Sequence, residues 1–156
     1  MPKLIMLVGA PASGKTTWAL ENTKVGTFIY STDFLLEEWA KEINSTYNEV
    51  FKRFIDMATS MSNDRLKKTI ERNEDIVWDQ TNLTVKSRKA KLAKIPSNYE
   101  RIAVYFVTPA GEEHKRRLDS RPGKTIPAHI LKNMIDSIEM PTEDEGFDRV
   151  IVIEGN

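Results

Sequence analysis

One short stretch constrains this chain more than any other. Gly9-Ala10-Pro11-Ala12-Ser13-Gly14-Lys15-Thr16 fits the spacing G-x-x-x-x-G-K-[ST] and follows directly on the apolar run Leu4-Ile5-Met6-Leu7-Val8. The run reads as a buried strand, and Thr16 to Asn22 reads as a helix around Trp18-Ala19-Leu20. Strand, glycine loop and helix in that order make a phosphate cradle. Gly9 and Gly14 let backbone N–H groups turn inward, Lys15 reaches the β/γ-phosphates, and Thr16 offers a hydroxyl to Mg²⁺. The helix N-terminus behind the loop adds partial positive charge. The expected nucleotide-binding residues are therefore Gly9, Ala10, Pro11, Ala12, Ser13, Gly14, Lys15, Thr16 and Thr17, with ATP and Mg²⁺ as ligands.

The rest of the chain alternates in the same way. Short strands are predicted at 26–30, 75–78, 101–107 and 149–153. Helices are predicted from Phe34 to about Glu42, from the capping box Thr46-Tyr47-Asn48-Glu49 to about Ile70, and from a Thr84 cap to about Lys94. A further helix starts at a Thr108 cap with Pro109 in its first position, and another runs from Pro127 to about Ile138. Pro122-Gly123 breaks the chain between those two and marks a short lid. Strands alternating with helices imply an α/β fold with a five-stranded, mostly parallel sheet covered on both faces, and 156 residues fit one domain spanning 1–156.

In such a sheet the ligand crevice lies beyond the carboxyl ends of the strands. The polar residues placed there are the candidates for chemistry. Asp33 is the expected general base, its alternative being a plain N-cap for the helix at Phe34. Asp79 ends an apolar strand as a Walker-B aspartate does and is a candidate for holding Mg²⁺, or for shaping the loop. Thr81 and Asn82 suit an acceptor's phosphate or hydroxyl, with turn chemistry as the alternative. Arg117 and Arg121, four apart on one helix face, are placed to clamp phosphate, or to pair with Glu112, Glu113 or Asp119. His114 and His129 lack partner spacing and are assigned to the surface. The basic run Lys86, Arg88, Lys89, Lys91 and Lys94 reads as a solvated helix face.

Charge and composition limit the partners. Lys plus Arg equals Asp plus Glu at 23 each, so no long-range field draws in nucleic acid and any polyanion must meet a local patch. A second patch, Lys115, Arg116, Arg117, Arg121 and Lys124, is one such place. Cysteine is absent, which excludes disulfides, thiolate zinc sites and cysteine nucleophiles. No signal pattern and no apolar run long enough for a membrane span is read, so the expectation is a soluble, cytoplasmic protein with no membrane partner.

With these residues in place, the chain resembles the kinase domain of phage-type 5′-hydroxyl polynucleotide kinases over nearly its full length. The P-loop continues as GKTTWA through Ala19, Asp33 stands at the spacing of that family's general base, and Asp79-Gln80-Thr81-Asn82-Leu83 looks like its acceptor-side D-x-T-N stretch. Arg117 and Arg121, followed by Pro127, are similar to its lid arginines. The resemblance implies transfer of the ATP γ-phosphate, with Mg²⁺, to a 5′-hydroxyl end of DNA or RNA. Where the family has an arginine three residues after the base, this chain has Leu36. From Asp79 onward the chain is also similar to the kinase-like domain of heterogeneous nuclear ribonucleoprotein U, which implies an ATP-binding module assembling on RNA. A kinase of a small alcohol such as a nucleoside is the third class the sequence admits.

Overall fold

A computed structural model describes residues 1–121 and 123–154. Among them, strands β1 (Lys3–Val8), β2 (Phe28–Tyr30), β3 (Ile76–Asp79), β4 (Glu100–Phe106) and β5 (Arg149–Ile153) form one sheet in the order β2-β3-β1-β4-β5. Every pairing is parallel, with Leu4 beside Ile76 and Arg101, and Leu7 beside Asp79 and Val104. Parallel neighbours need crossovers, and helices α1 (Lys15–Asn22), α2 (Thr32–Glu42), α3 (Tyr47–Glu71), α4 (Val85–Leu92), α5 (Gly111–Asp119) and α6 (Ala128–Asp136) lie on or between them. This is the expected α/β architecture.

Strand periodicity divides the core in two. Leu4, Met6, Val8, Ile76 and Trp78 point to one face, where Leu66 of α3 and Leu92 of α4 cover them. Leu7, Val77, Ile102, Val104 and Phe106 point to the other, under Ala19 and Trp18 of α1. A third cluster, Leu36, Ala40, Val50 and Ala58, locks α2 against α3. Leu36 is thus wholly buried between two helices.

Three expectations are corrected. The helix after β4 begins at Gly111, with Ala110 as its N-cap residue and no side-chain cap; Pro109 is buried before it and Thr108 caps nothing. Helix α2 begins earlier than expected, because Ser31 Oγ accepts from the Phe34 N–H and so caps it. The basic run on α4 is not a uniformly solvated face. Arg88 is fully buried, donating from Nε and Nη2 to Glu145 at 2.7 and 3.0 Å and from Nη1 to Asn82 O, while Lys91 lies over the Trp78 ring and donates to Asn82 Oδ1. The expected break at Pro122-Gly123 falls partly outside the described residues; Gly123 itself has φ +70° and packs on Thr46.

Candidate active site

The glycine loop is held from both sides. Gly9 N–H donates to Thr81 O at 3.0 Å, which ties the end of β1 to the turn after β3. A Cβ at Gly9 would stand 2.7 Å from Ser13 Oγ and 3.1 Å from the Phe106 backbone oxygen, so a side chain there would displace the Ser13 hydroxyl and crowd β4. Gly14 has φ +101°, where side chains are strained, and precedes the first turn of α1. Pro11 O accepts from His114 Nε2 at 2.8 Å. A carbonyl only accepts, so that ring nitrogen bears the proton. His114 is therefore buried rather than on the surface, and it braces the loop from α5.

Lys15 is folded back onto this loop. Its Nζ donates to Gly9 O at 3.0 Å and Ala10 O at 2.8 Å, and burial pulls its pKa down to about 8 against the pull of Asp79 and Asp33. Thr16 Oγ1 donates to Asp79 Oδ2 at 2.9 Å. Burial pushes the Asp79 carboxyl above its usual range, opposed by the Thr16 hydroxyl and Lys15. A hydroxyl and a carboxylate this close, beside the phosphate loop, suit a small hard cation that takes most of its other oxygens from water and phosphate. Among the described residues no group of three or more His, Asp or Glu could hold a metal ion, and a Mg²⁺ shared with phosphate needs none.

Beyond this lies a cleft of about 560 Å³. Pro11, Asp33, Asp79, Thr81 and Arg121 line it together, so the structure brings four separate chain segments named from sequence to one place. Asp33 sits in the first turn of α2 with its side chain 55% exposed, and it is not the cap residue. Its Oδ1 accepts from Tyr47 Oη, and Lys124 Nζ lies 3.4 Å from Oδ2 while donating to Glu37 Oε1 at 2.6 Å. The Tyr47 hydroxyl is pushed well up by burial and by the Asp33 carboxylate, so it stays a proton donor. Gln80 ties the two strand ends together: it accepts from Trp78 Nε1 at 2.9 Å and donates to Thr32 Oγ1 at 3.2 Å.

The remaining sequence candidates separate. Arg121 reaches the cleft, and its Nε and Nη2 are buried without a hydrogen-bond partner. Arg117 does not line that cleft; it donates to Glu113 Oε1 at 2.9 Å and lines a second cavity with Ser13, Gly14, Thr17, Trp18 and Ile153. Asn82, with φ +48°, is buried; its Nδ2 donates to Leu7 O at 2.8 Å and its Oδ1 accepts from Lys91. That is the turn role the sequence left open. Sequence reasoning missed Tyr47, read only as part of a capping box, and Lys124, read only as part of a basic patch. Neither carries a local signal, because α2, α3 and the segment after Arg121 meet only in the folded chain.

The AAA domain family (AAA_33) matches residues 4–141. Human heterogeneous nuclear ribonucleoprotein U-like protein 2 is 24% identical over 159 residues, covering 95% of this chain and 21% of that protein. The chain thus spans about a fifth of the length of that relative. A candidate kinase from Chloroflexus aurantiacus superposes with TM-score 0.70 at 17% identity, over 98% of this chain and 88% of its own. A chain of the Pnkp1/Rnl/Hen1 RNA repair complex gives 0.64 at 22%, over 87% and 43%. A gluconokinase from Sinorhizobium meliloti gives 0.55 at 16%, over 99% and 83%. At these identities the structures speak for the fold, while the family match extends from β1 to beyond α6. The chain belongs to the AAA domain family, AAA_33, and its P-loop α/β fold is similar to that of solved kinase structures.

Proposed function

We propose that this protein transfers the γ-phosphate of ATP to the 5′-hydroxyl of a polynucleotide. The observation that carries the reading is one cleft lined both by an exposed carboxylate, Asp33, and by Arg121, whose buried Nε and Nη2 have no hydrogen-bond partner. Buried guanidinium N–H groups left without an acceptor are costly unless one completes them. The phosphates of ATP are such an acceptor, and the loop amides and Lys15 supply the rest of their cradle.

In this reading Thr16 and Asp79 would hold Mg²⁺, which would supply positive charge to the phosphates when bound. The acceptor oxygen attacks the γ-phosphorus while its proton passes to Asp33, the bond from that phosphorus to the ADP oxygen breaks, and ADP leaves. Tyr47 orients Asp33 by donating to one of its oxygens. Lys15 and Arg121 balance the charge spread over the migrating group. The polynucleotide acceptor is supported by the resemblance carried by GKTTWA and DQTNL and by likeness to a chain of an RNA repair complex. A small-alcohol acceptor is favoured by one observation, the gluconokinase likeness over nearly the whole chain.

The test incubates the protein with Mg²⁺ and γ-labelled ATP, supplying 5′-hydroxyl DNA, 5′-hydroxyl RNA, gluconate, nucleosides or no acceptor. Label on an oligonucleotide is the expected result. Label on gluconate alone, or hydrolysis with no acceptor labelled, would refute it. Asp33→Asn should abolish transfer while ATP affinity stays within about threefold, and equal turnover in that variant would remove Asp33 from the mechanism.

A further inference from the structure

The proposed base, Asp33, already carries a hydroxyl. Its Oδ1 accepts from Tyr47 Oη, while Lys124 Nζ lies 3.4 Å from its Oδ2. An acceptor alcohol in the proposed reaction must donate its proton to this same carboxylate. Tyr47 therefore stands, relative to Asp33, as a substrate hydroxyl would. The threonine hydroxyls lining the cleft are engaged differently. Thr32 Oγ1 accepts from Gln80 Nε2 at 3.2 Å and Thr125 Oγ1 from Asn48 Nδ2 at 2.9 Å, and no threonine of the cleft donates to a carboxylate among the described residues.

The phenol is also held in place. Phe51, one turn further along α3, stands 5.9 Å from its ring, and Lys124 Nζ lies 4.6 Å from the ring centroid. Pro11 of the glycine loop, Asp33, Tyr47 and Arg121 border one cavity, so donor loop, base and phenol share a space. Burial and the neighbouring Asp33 carboxylate keep the phenol protonated, so it can act as a nucleophile only as a base takes its proton. The surroundings suit the product as well. A phosphorylated tyrosine carries about −1.5 to −2 charge, and here it would meet the Lys124 ammonium and the unpartnered Nε and Nη2 of Arg121.

We propose that Tyr47 is a self-phosphorylation site that shuts the enzyme off. With ATP bound and no acceptor in the cleft, the Tyr47 oxygen attacks the γ-phosphorus and its proton passes to Asp33. The bond from that phosphorus to the ADP oxygen breaks, and ADP leaves a phosphomonoester on Tyr47. The product sets a phosphate dianion against Asp33 and Glu37 and competes with the next nucleotide for Arg121 and Lys124. The inference rests on ATP phosphoryl transfer with Asp33 as base, as in the proposed function, and is independent of the polynucleotide acceptor.

The experiment incubates the full chain with Mg²⁺ and γ-labelled ATP, with and without a 5′-hydroxyl oligonucleotide, and maps protein-bound phosphate by mass spectrometry. The expected result is a single phosphate on Tyr47, slowed by the oligonucleotide, with a first-order rate that holds over an about tenfold range of protein concentration because the reacting groups share one site. Tyr47→Phe and Asp33→Asn, with ATP affinity reporting that each is folded, should each lower self-labelling by more than about tenfold. Protein phosphorylated in advance should label the oligonucleotide about tenfold or more slowly than untreated protein, and a phosphatase should restore the rate. Phosphate on another residue, undiminished labelling of Tyr47→Phe, a rate that rises with protein concentration, or full activity of the phosphorylated protein would overturn the proposal. A labelled oligonucleotide beside unlabelled protein would overturn it and leave the kinase reading in place. Label on Tyr47 with none on any oligonucleotide would support it and refute the polynucleotide acceptor, and label on neither would overturn both.

Discussion

At the scale of single residues, burial decides which charges stay poised. Lys15 shares an environment with Asp79 and Asp33, yet desolvation outweighs both and brings its pKa down to about 8. A bound triphosphate replaces the lost solvation with charge and raises that pKa again. Between the two values the complex holds a proton that the free protein does not. ATP binding should therefore take up a proton near pH 8 to 9, and affinity should fall as pH rises through 8. Calorimetry in buffers of differing ionisation enthalpy reads this directly, and a pH-independent affinity from 7 to 9.5 would contradict it. Arg121 is the complementary case, a guanidinium whose Nε and Nη2 are buried without a hydrogen-bond partner. Arg121→Ala should lower kcat by about 10³-fold or more, and a loss under about tenfold would demote it to surface charge. Arg117→Ala should act more weakly on kcat, because its guanidinium is on Glu113 outside the cleft.

At the scale of elements, the glycine loop is a braced object. Its entry is tied to β3 by the Gly9–Thr81 bond and its crest to α5 by His114. His114→Ala removes the donor from the partly buried Pro11 carbonyl. The expected cost is about 0.5–1.5 kcal/mol of stability, together with weaker ATP binding, read by urea denaturation with and without ATP. The segment after Arg121 is latched in a similar way onto the start of α3. Asn48 N–H donates to Gly123 O at 3.1 Å, Asn48 Nδ2 to Thr125 Oγ1 at 2.9 Å, and Lys124 reaches Asp33 and Glu37. These contacts bring Arg121 over the cleft, where a helix alone would leave its direction open.

For the whole molecule, the most consequential buried charge lies away from the cleft. Arg88 and Glu145 join α4 to the turn before β5, with side chains 0% and 7% exposed. Breaking such a pair strands one buried charge, so Arg88→Ala should cost about 3–5 kcal/mol, while replacing both partners with apolar residues of similar volume should recover most of it. Chemical denaturation of the single and double variants checks this. No helix among the described residues is long and apolar enough to cross a membrane. The parallel sheet sets the site's position, since it puts the ends of β1, β2 and β3 side by side and so gathers the glycine loop, Asp33 and Asp79 at one edge.

The sequence by itself determined what local physics encodes. The glycine spacing fixed the loop, alternation of apolar runs with helical periodicity fixed the parallel α/β class, and polar residues at strand ends marked Asp33 and Asp79. Only the tertiary structure decided which charges were buried, because burial depends on what packs against a residue from far along the chain. Arg88 and Lys91 look like a solvated stripe until Glu145, Asn82 and Trp78 close over them. His114 looks isolated until Pro11 meets it, and Asn82 looks like a substrate donor until Leu7 claims its amide. Tyr47 and Lys124 gain their places beside Asp33 in the same way, through contacts between segments that no local pattern relates.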